Sequence, residues 1–562
     1  MIFKRINKKY YIILLVTICI FLPYISNKFI RGDDFPCHIS NLISMDQYIS
    51  IERFNFFPSK IRPIIGKNLG YGSGIFYPQL AYFLTEYIYI IIKQLGFSLI
   101  SAIKIYEFII VLFSGIFTYK FVHESFKNEN VSLLAAIMYM LSPYFICDVF
   151  VRMALAEMTV FLFIPIVLLS ITYVLQQKYD KFLLYFVIGY CGCILSHLVM
   201  TMYFTILIWI ILIINIKKIW NKTSIKYFLI GTIIVLGVTM SSIVPMLEHK
   251  FKGDYVVFNS NEMMSLDLLK RASLNLYSFI NRYEKYFRVS YFISISIITM
   301  LLITLSNWKN ILNKLDNNQK RWVVSITAFS ILALFISSKF MIWNFTPKIL
   351  WSIQFPWRMS MFVAFGLSII SSLGIISIRN KKIVFILVFV VGIMDLSYIV
   401  GNVALQNVIL PNNENISSLK NGYMGWSREY LPTKANNNLD YYEKRGENIV
   451  IKNDTNGKTK ILENYVPFLR FNIEIEDNKD VRVEIPRLFY YGYKINYQGE
   501  DEKIEYYENE NGFIEFETKK SGTIIVDYKG TIIDKITNVV SIVTIILFLI
   551  LFIKIKKNNQ LM

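Results

Sequence analysis

Long apolar runs separated by short basic clusters are the feature that most limits how this chain can fold. Runs of about 18 residues or more are typical of helices that cross a bilayer, and the chain has about a dozen such segments. The composition agrees, since 54% of the 562 residues are hydrophobic and only 18% are charged. The sequence therefore predicts an all-α polytopic protein of the cell membrane.

The basic clusters predict how these helices are oriented. Clusters at both ends of the chain and at 217–226, 308–321 and 379–382 all face the cytoplasm if twelve helices cross, which places both termini inside. The predicted crossings are 10–27, 99–121, 131–147, 157–176, 182–198, 201–216, 227–246, 289–306, 321–338, 358–378, 382–401 and 535–554.

The segment 76–95 is apolar enough to span the membrane as well. If it did, every later loop would be inverted and the basic clusters would face outward. We therefore interpret it as a helix that lies in the outer interface, where its tyrosines suit the headgroup layer.

This topology divides the chain into three parts. Residues 1–401 form the transmembrane domain, with a first external loop at 28–98. Residues 402–533 are polar, and alternating patterns such as VRVEIP at 481–486 and FIEFET at 513–518 predict a small extracytoplasmic β domain. Residues 534–562 are a final crossing and a basic cytoplasmic tail.

The net charge of +19 does not indicate a nucleic-acid partner, because the basic residues fall in the short clusters that topology already explains. The five cysteines are scattered and mostly lie in apolar runs. Their spacing predicts neither a zinc site nor a disulfide framework.

Two adjacent acids and a histidine follow the first predicted crossing, in Asp33, Asp34 and His38. Carboxylates at such a boundary can bind a divalent cation or act as a general base toward a hydroxyl. The simpler alternative is that the two acids cap the helix that follows.

Two further charged fragments lie at predicted external helix ends. Arg152 and Glu157 flank one helix start, and an arginine positioned by a carboxylate can hold a phosphate in a bidentate manner. Arg358 follows Trp357 in QFPWR and offers a second phosphate contact. His197 ends another helix on the same face. Taken singly, each of these residues is more simply explained by a helix-dipole, interfacial or packing role.

A glycine group, Gly70 to Gly74 before Tyr77, adds flexible backbone near the same interface. Glycines of this kind can form a phosphate nest, but the strand-to-helix context of such nests is missing here.

Five fragments, in chain order, carry a resemblance that covers roughly residues 1–400: GDDFPCHIS, YGSGIFYPQLAYFL, LSPYFICDVFVRMALAE, SHLVM and IQFPWRM. Together they resemble the bacterial membrane proteins labelled 6-pyruvoyl-tetrahydropterin synthase-related, which are similar to YfhO-type proteins. That label does not imply a pterin enzyme. Members often carry glycine where this chain has Met153 or Ala154.

The group resembles the GT-C membrane glycosyltransferases, so the resemblance implies a GT-C-like fold of about 12 helices and a polyprenyl-phosphate-sugar donor. It implies an envelope glycan, lipid or protein as the acceptor, and Asp33 or Asp34 as catalytic base or as ligand of a divalent cation, Mg²⁺ or Mn²⁺. Arg152 and Arg358 would bind the donor phosphate. The supporting residues would be His38, Glu157, His197, Tyr77 and Trp357.

Two other functions fit the same sequence. A transporter or flippase for lipid-linked sugars would place ionisable residues inside the membrane and often shows inverted repeats. A non-catalytic assembly factor for envelope polysaccharide would keep the fold and use its β domain for interactions. A meeting of Asp33, Asp34, Arg152 and Arg358 at one cleft would favour the enzyme over both.

Overall fold

The computed structural model of the protein describes residues 8–25, 29–52, 59–62, 68–259, 264–281, 291–401, 408–409, 428–453, 456–476 and 480–560. Within these ranges the chain is mostly helical, with a β region near its C-terminal end. The helices are α1 (Lys8–Ile20), α2 (Phe35–Glu52), α3 (Ser73–Phe76), α4 (Leu80–Lys93), α5 (Leu99–Phe126), α6 (Glu129–Met140), α7 (Pro143–Cys147), α8 (Leu155–Leu175), α9 (Tyr179–Ser196), α10 (Leu198–Ile214), α11 (Ile216–Ile219), α12 (Lys222–Lys252), α13 (Val256–Asn259), α14 (Leu266–Ala272), α15 (Ile295–Ser306), α16 (Trp308–Asn313), α17 (Asn317–Ser337), α18 (Ser360–Ser372), α19 (Lys381–Ile399), α20 (Thr433–Asn437), α21 (Leu439–Lys444) and α22 (Ile532–Gln560).

Nine helical segments of the described chain are long and apolar enough to cross a membrane. They are Leu99–Phe126, Glu129–Arg152, Leu155–Leu175, Tyr179–Ser196, Lys222–Lys252, Asn317–Ser337, Pro356–Ser377, Lys381–Ile399 and Ile532–Lys554. All nine coincide with predicted crossings, which confirms a multi-pass helical protein. Two shorter apolar helices, α10 and α15, coincide with two more.

The first predicted crossing, 10–27, contains α1, which has 13 residues; Ser26 and Asn27 lie outside the described residues. A bilayer-spanning helix needs about 20 residues, so the count of twelve crossings stays a prediction. Helix α4 occupies the disputed segment 76–95 and has 14 residues. That length is short for a crossing, and its place in the outer interface stays a prediction too.

Helix α8 lies at the centre of the helical bundle. Its sequence is apolar on every side, and almost all of its residues are buried, as expected for a helix surrounded by other helices. It packs between α5 and α9. Gly189 and Gly192 of α9 permit the close approach, because a Cβ atom at Gly192 would lie 2.2 Å from the ring of Phe163 on α8.

The β region contains two four-stranded antiparallel sheets, with strand orders β4-β5-β10-β7 and β3-β6-β9-β8. Their inward faces share one apolar core. This confirms a β region near the C-terminus, while the domain boundaries at 401 and 533 and its side of the membrane stay predictions. The strands are β1 (Phe29–Ile30), β2 (Val408–Ile409), β3 (Val450–Ile451), β4 (Lys458–Tyr465), β5 (Phe468–Glu474), β6 (Val481–Leu488), β7 (Tyr493–Tyr497), β8 (Tyr506–Glu508), β9 (Phe513–Thr518) and β10 (Gly522–Tyr528).

The first loop and the β region are packed against each other. Strand β1 of the loop pairs with β2, and the Leu69 carbonyl accepts a 2.9 Å hydrogen bond from the Leu488 N–H. The glycine group lies at this contact, since a Cβ atom at Gly72 would lie 2.5 Å from the ring of Tyr490. The close packing of Gly72 gives this glycine a structural role, and the phosphate nest stays a prediction.

The last helix returns along α12 and fixes the β region to the bundle. The Ser541 hydroxyl donates a 3.0 Å hydrogen bond to the Gly237 carbonyl of α12. At the other end of α22, Asp534 pairs with Lys60 of the first loop at 2.6 Å. Burial lowers the pKa of Lys60, and the facing Asp534 carboxylate opposes that shift.

We predict that Gly72→Ala loosens this docking, because the added methyl group must displace the Tyr490 ring. Overpacking of this kind costs about 1–3 kcal/mol, so the thermal unfolding midpoint in detergent should fall by several degrees. Gly446→Ala is the matched control, since no described atom lies within 4 Å of its added Cβ. Equal midpoints for the two variants would contradict the close packing.

Candidate functional site

A single irregular turn creates the site. The helix that begins at Glu129 is interrupted at Pro143 and ends in a π-type turn, Asp148–Arg152. Met153 then has a φ of +54°, in the left-handed region that glycine adopts with least strain. The new direction aims Arg152 back toward the start of α8. π-type turns of this kind are common at functional sites.

The Arg152 side chain is buried and surrounded by acceptors. Only 7% of it is exposed, and its Nη1 donates to the carboxylate of Asp148. Its Nη2 donates to Glu157 at 3.0 Å. The hydroxyl of Tyr144 lies 3.4 Å from Nη1 and donates to the other Glu157 oxygen at 2.7 Å. The guanidinium charge is therefore compensated inside the protein.

Glu157 joins the two arginines. Its Oε2 accepts from Arg152 and also lies 3.4 Å from Nε of Arg358. Arg358 is held by the Ile353 carbonyl, which accepts from its Nη1 at 3.1 Å. With 14% of its side chain exposed, Arg358 is twice as accessible as Arg152. Among the described residues, no protein group accepts a hydrogen bond from its Nη2.

Trp357 forms an aromatic wall beside both guanidinium groups. The centroid of its ring lies 4.8 Å from Cζ of Arg152 and 5.9 Å from Cζ of Arg358. Such cation–π contacts orient the planar groups and shield them from water. The Phe355 ring lies 5.1 Å from Arg358 on another side.

The acidic pair reaches this cluster from the first loop. The N–H groups of Asp33 and Asp34 donate to the carbonyls of Val151 and Arg152 at 3.0 and 2.8 Å. Gly32 permits the contact, since a Cβ atom there would lie 2.6 Å from the Arg152 backbone. The Asp34 carboxylate lies 3.6 Å from Nη2 of Arg152 and is 45% exposed. Asp33 is exposed.

A second group, of aromatic rings and histidines, lies next to the arginines. His38 Nδ1 is 2.8 Å from the Tyr82 hydroxyl, and the Tyr77 ring lies 6.1 Å from Tyr82 and 6.5 Å from His197. His197 also caps α10 by accepting the Met200 N–H at 3.4 Å. Burial lowers the pKa of His38 to about 4, so this imidazole is neutral at neutral pH.

The structure thus brings Asp34, Arg152, Glu157, Trp357 and Arg358 into one cluster and places His38, Tyr77 and His197 in the adjoining one. Sequence reasoning missed Tyr144 and Asp148, although both lie in the fragment LSPYFICDVFVRMALAE. The spacing of Asp148 and Arg152, four residues apart, is the signal that could have indicated an ion pair.

The fit of a divalent cation is poor. The described residues contain no group of three or more His, Cys, Asp or Glu side chains placed to hold a metal ion. A cation on Asp34 would also lie close to the Arg152 guanidinium, 3.6 Å from that carboxylate. The Mg²⁺ or Mn²⁺ site on Asp33 and Asp34 therefore stays a prediction, and no step below is derived through it.

Comparison with known proteins adds little to this geometry. No family model and no curated protein matches the sequence. A search of solved structures finds similarity to the arabinofuranosyltransferase AftD from mycobacteria, with a TM-score of 0.39 and 11% identity. The match covers 71% of this chain but only 26% of AftD. A TM-score at this level does not establish a shared fold, so the arginine–carboxylate cluster has to carry the functional argument.

We predict that His38 makes stability fall with acid. Its folded pKa of about 4 lies below the ordinary 6.5, so its contribution is complete above pH 6.5 and is lost as pH falls toward 4. The loss is on the order of 3 kcal/mol. Unfolding midpoints of the wild type and His38→Gln, which keeps a polar partner for Tyr82, should converge as pH falls through this window. A constant difference between them would contradict the assignment.

Proposed function

We propose that the protein is a membrane glycosyltransferase of the GT-C type. It moves a sugar from a polyprenyl-phosphate donor to an envelope glycan, lipid or protein acceptor on the outer face of the membrane. One arrangement supports the proposal. The Glu157 carboxylate lies between the guanidinium groups of Arg152 and Arg358, and the Trp357 ring packs against both. The acidic pair of the first loop lies beside them.

Arg358 supports a direct phosphate contact better than Arg152 does. Arg152 already satisfies Asp148 and Glu157, whereas Arg358 shares only Glu157 and is more exposed. A phosphate that receives hydrogen bonds from Arg358 is stabilised as negative charge develops on the leaving oxygen. Arg152 then acts as a positioning residue, since it fixes Glu157 and through it Arg358.

A small apolar crevice lies beside the cluster. It is lined by residues that include Pro143, Phe279, Ile297 and Val363, and it has room for about one water molecule. Tyr144, which hydrogen-bonds Glu157, lies in the same wall. The lining side chains would have to move apart before the first isoprene unit of a donor lipid could enter here and bring its phosphate to the arginines.

Asp34 is the better placed of the two acids to act as base. Its half-exposed carboxylate can accept the proton of an acceptor hydroxyl, and Arg152 holds it next to the donor site. The acceptor oxygen then forms a bond to the anomeric carbon while the bond from that carbon to the phosphate oxygen breaks. The polyprenyl phosphate leaves with both electrons of that bond, and the sugar configuration inverts.

The topology that goes with this mechanism has twelve crossings and both termini in the cytoplasm. The site and the β region then lie outside, where no nucleotide-sugar is available and a lipid-linked donor is required. The basic clusters between the helices support this orientation.

A transporter of lipid-linked sugars is the second candidate. Glu107 supports it, because this carboxylate is fully buried within the candidate membrane helix α5. Ionisable groups inside the membrane often mark transport pathways. A transporter, however, does not need a base at the position of Asp34.

We predict that Asp34→Asn lowers sugar transfer about a hundredfold or more, because the amide cannot accept the hydroxyl proton. Asp33→Asn should have a much smaller effect, since its carboxylate is the more exposed one. The measurement is the sugar content of envelope glycans in a deletion strain that expresses each variant, normalised to the amount of protein in the membrane. Full activity in both variants would refute the base and favour transport or assembly.

We predict that Arg358→Gln weakens binding of undecaprenyl phosphate to the purified protein about tenfold or more, because a charge-assisted hydrogen bond is lost. Arg379→Gln is the matched control, since this arginine is exposed at the opposite predicted face. Native mass spectrometry in detergent measures both affinities. Equal binding by the two variants would exclude Arg358 as the phosphate contact.

A further inference from the structure

Residues 338–355 connect two candidate membrane crossings without forming an α-helix. The first crossing ends at Ser337 and the next begins at Pro356. Between them the chain forms two 3-10 turns, Trp343–Phe345 and Lys348–Ile353. Because both ends continue directly into candidate membrane helices, this connecting segment lies at the membrane surface.

Hydrogen bonds hold the connecting segment against a neighbouring loop. Trp343 is buried, and its indole N–H donates to the Ser273 hydroxyl at 3.2 Å. The Lys339 N–H donates to the Leu274 carbonyl at 3.0 Å. The side chains on the other side of the segment are therefore presented by an anchored backbone.

Four large apolar side chains of the connecting segment are left uncovered by the protein. Phe340, Ile342, Phe345 and Ile349, which we call the apolar patch, are between 59% and 86% exposed. The surface of a water-soluble protein seldom carries so many large apolar groups together, and such patches mark contact with a partner or a membrane.

The backbone limits how deep the connecting segment can lie. Irregular backbone that faces lipid does not occur in the hydrocarbon layer, because its N–H and C=O groups would lack hydrogen-bond partners there. The headgroup layer supplies water to these groups, while apolar side chains can still reach the upper part of the acyl chains. The segment therefore suits the interface.

The charges of the connecting segment favour a negatively charged surface. Residues 338–355 contain no Asp or Glu, and both lysines, Lys339 and Lys348, are exposed. Within the described part of the chain neither lysine forms an ion pair. Phosphates of anionic lipids would pair with them. A second copy of this chain, docked on the same surface, would instead bring four lysines together, which is unfavourable.

We propose that the connecting segment is a binding surface for anionic lipid. The apolar patch enters the leaflet at the end of the bundle where the arginine cluster lies, and Lys339 and Lys348 contact the lipid phosphates. At the end of the segment the Ile353 carbonyl accepts from Arg358 at 3.1 Å. The lipid contact therefore also sets the depth of Arg358 relative to the headgroups. This inference does not depend on the proposed glycosyltransferase function.

A fluorescent probe on the apolar patch tests the insertion. Phe345→Cys in the full-length protein is labelled with a nitrobenzoxadiazole maleimide, in nanodiscs of phosphatidylcholine and phosphatidylglycerol. Phe345 is 86% exposed, so the substitution removes little packing. We expect strong quenching by lipids with a nitroxide near the top of the acyl chain, and little by aqueous iodide.

Leu462→Cys on β4 is the matched control, because it labels an exposed apolar position of the β region. Its probe should be quenched by iodide and not by the spin-labelled lipid. The wild type, taken through the same labelling, gives the background from the five native cysteines.

Exchange of the lysines tests the preference for anionic lipid. Spin-labelled phosphatidylglycerol should quench the Phe345→Cys probe more than the same amount of spin-labelled phosphatidylcholine, because each lysine enriches anionic lipid about fivefold. Lys339→Gln together with Lys348→Gln should abolish this difference. Arg379→Gln together with Lys382→Gln should keep it, since these two exposed charges lie at the opposite predicted face.

Three results would overturn the proposal. Quenching of the Phe345→Cys probe by iodide alone would place the apolar patch in water. Protection from both iodide and spin-labelled lipid would mean that protein covers the patch. Equal quenching by the two lipids, or a difference that persists after exchange of both lysines, would refute the binding of anionic headgroups by Lys339 and Lys348.

Discussion

The buried charge of Arg152 is the constraint on which the site depends. A guanidinium that is only 7% exposed must be matched by carboxylates, and Asp148 and Glu157 supply that match from the same fragment of chain. Removal of Asp148 would leave two arginines to share Glu157, and an uncompensated buried charge costs up to about 3–5 kcal/mol. The π-type turn, the left-handed Met153 and the tight contact at Gly32 together position this ion group.

The same constraint gives the two arginines different roles. Because the Arg152 guanidinium is already paired with Asp148 and Glu157, the more accessible Arg358 is the one that can bind an incoming anion. Trp357 lies against both groups and keeps water from them. Tyr144 and Asp34 both border this ion group, Tyr144 through a hydrogen bond to Glu157 and Asp34 at 3.6 Å from Arg152.

Much of the helical architecture could be predicted from the sequence, because long apolar runs usually fold as membrane helices. The alternating pattern of the β strands near the C-terminus could be predicted in the same way. The role of the glycine group could not be predicted, because Gly72 packs against Tyr490, more than four hundred positions away in the chain. Tyr144 was missed because a tyrosine in an apolar run has no motif, whereas the four-residue spacing of Asp148 and Arg152 was a signal of an ion pair.

The central claim is that Arg358 and its Glu157 partner form a phosphate site for a polyprenyl lipid. A cryo-EM structure of the full-length protein with undecaprenyl phosphate tests it most directly. The account predicts phosphate density within hydrogen-bond distance of the Arg358 guanidinium. Lipid density only on the outer surface of the bundle, with no phosphate near Arg358, would contradict it.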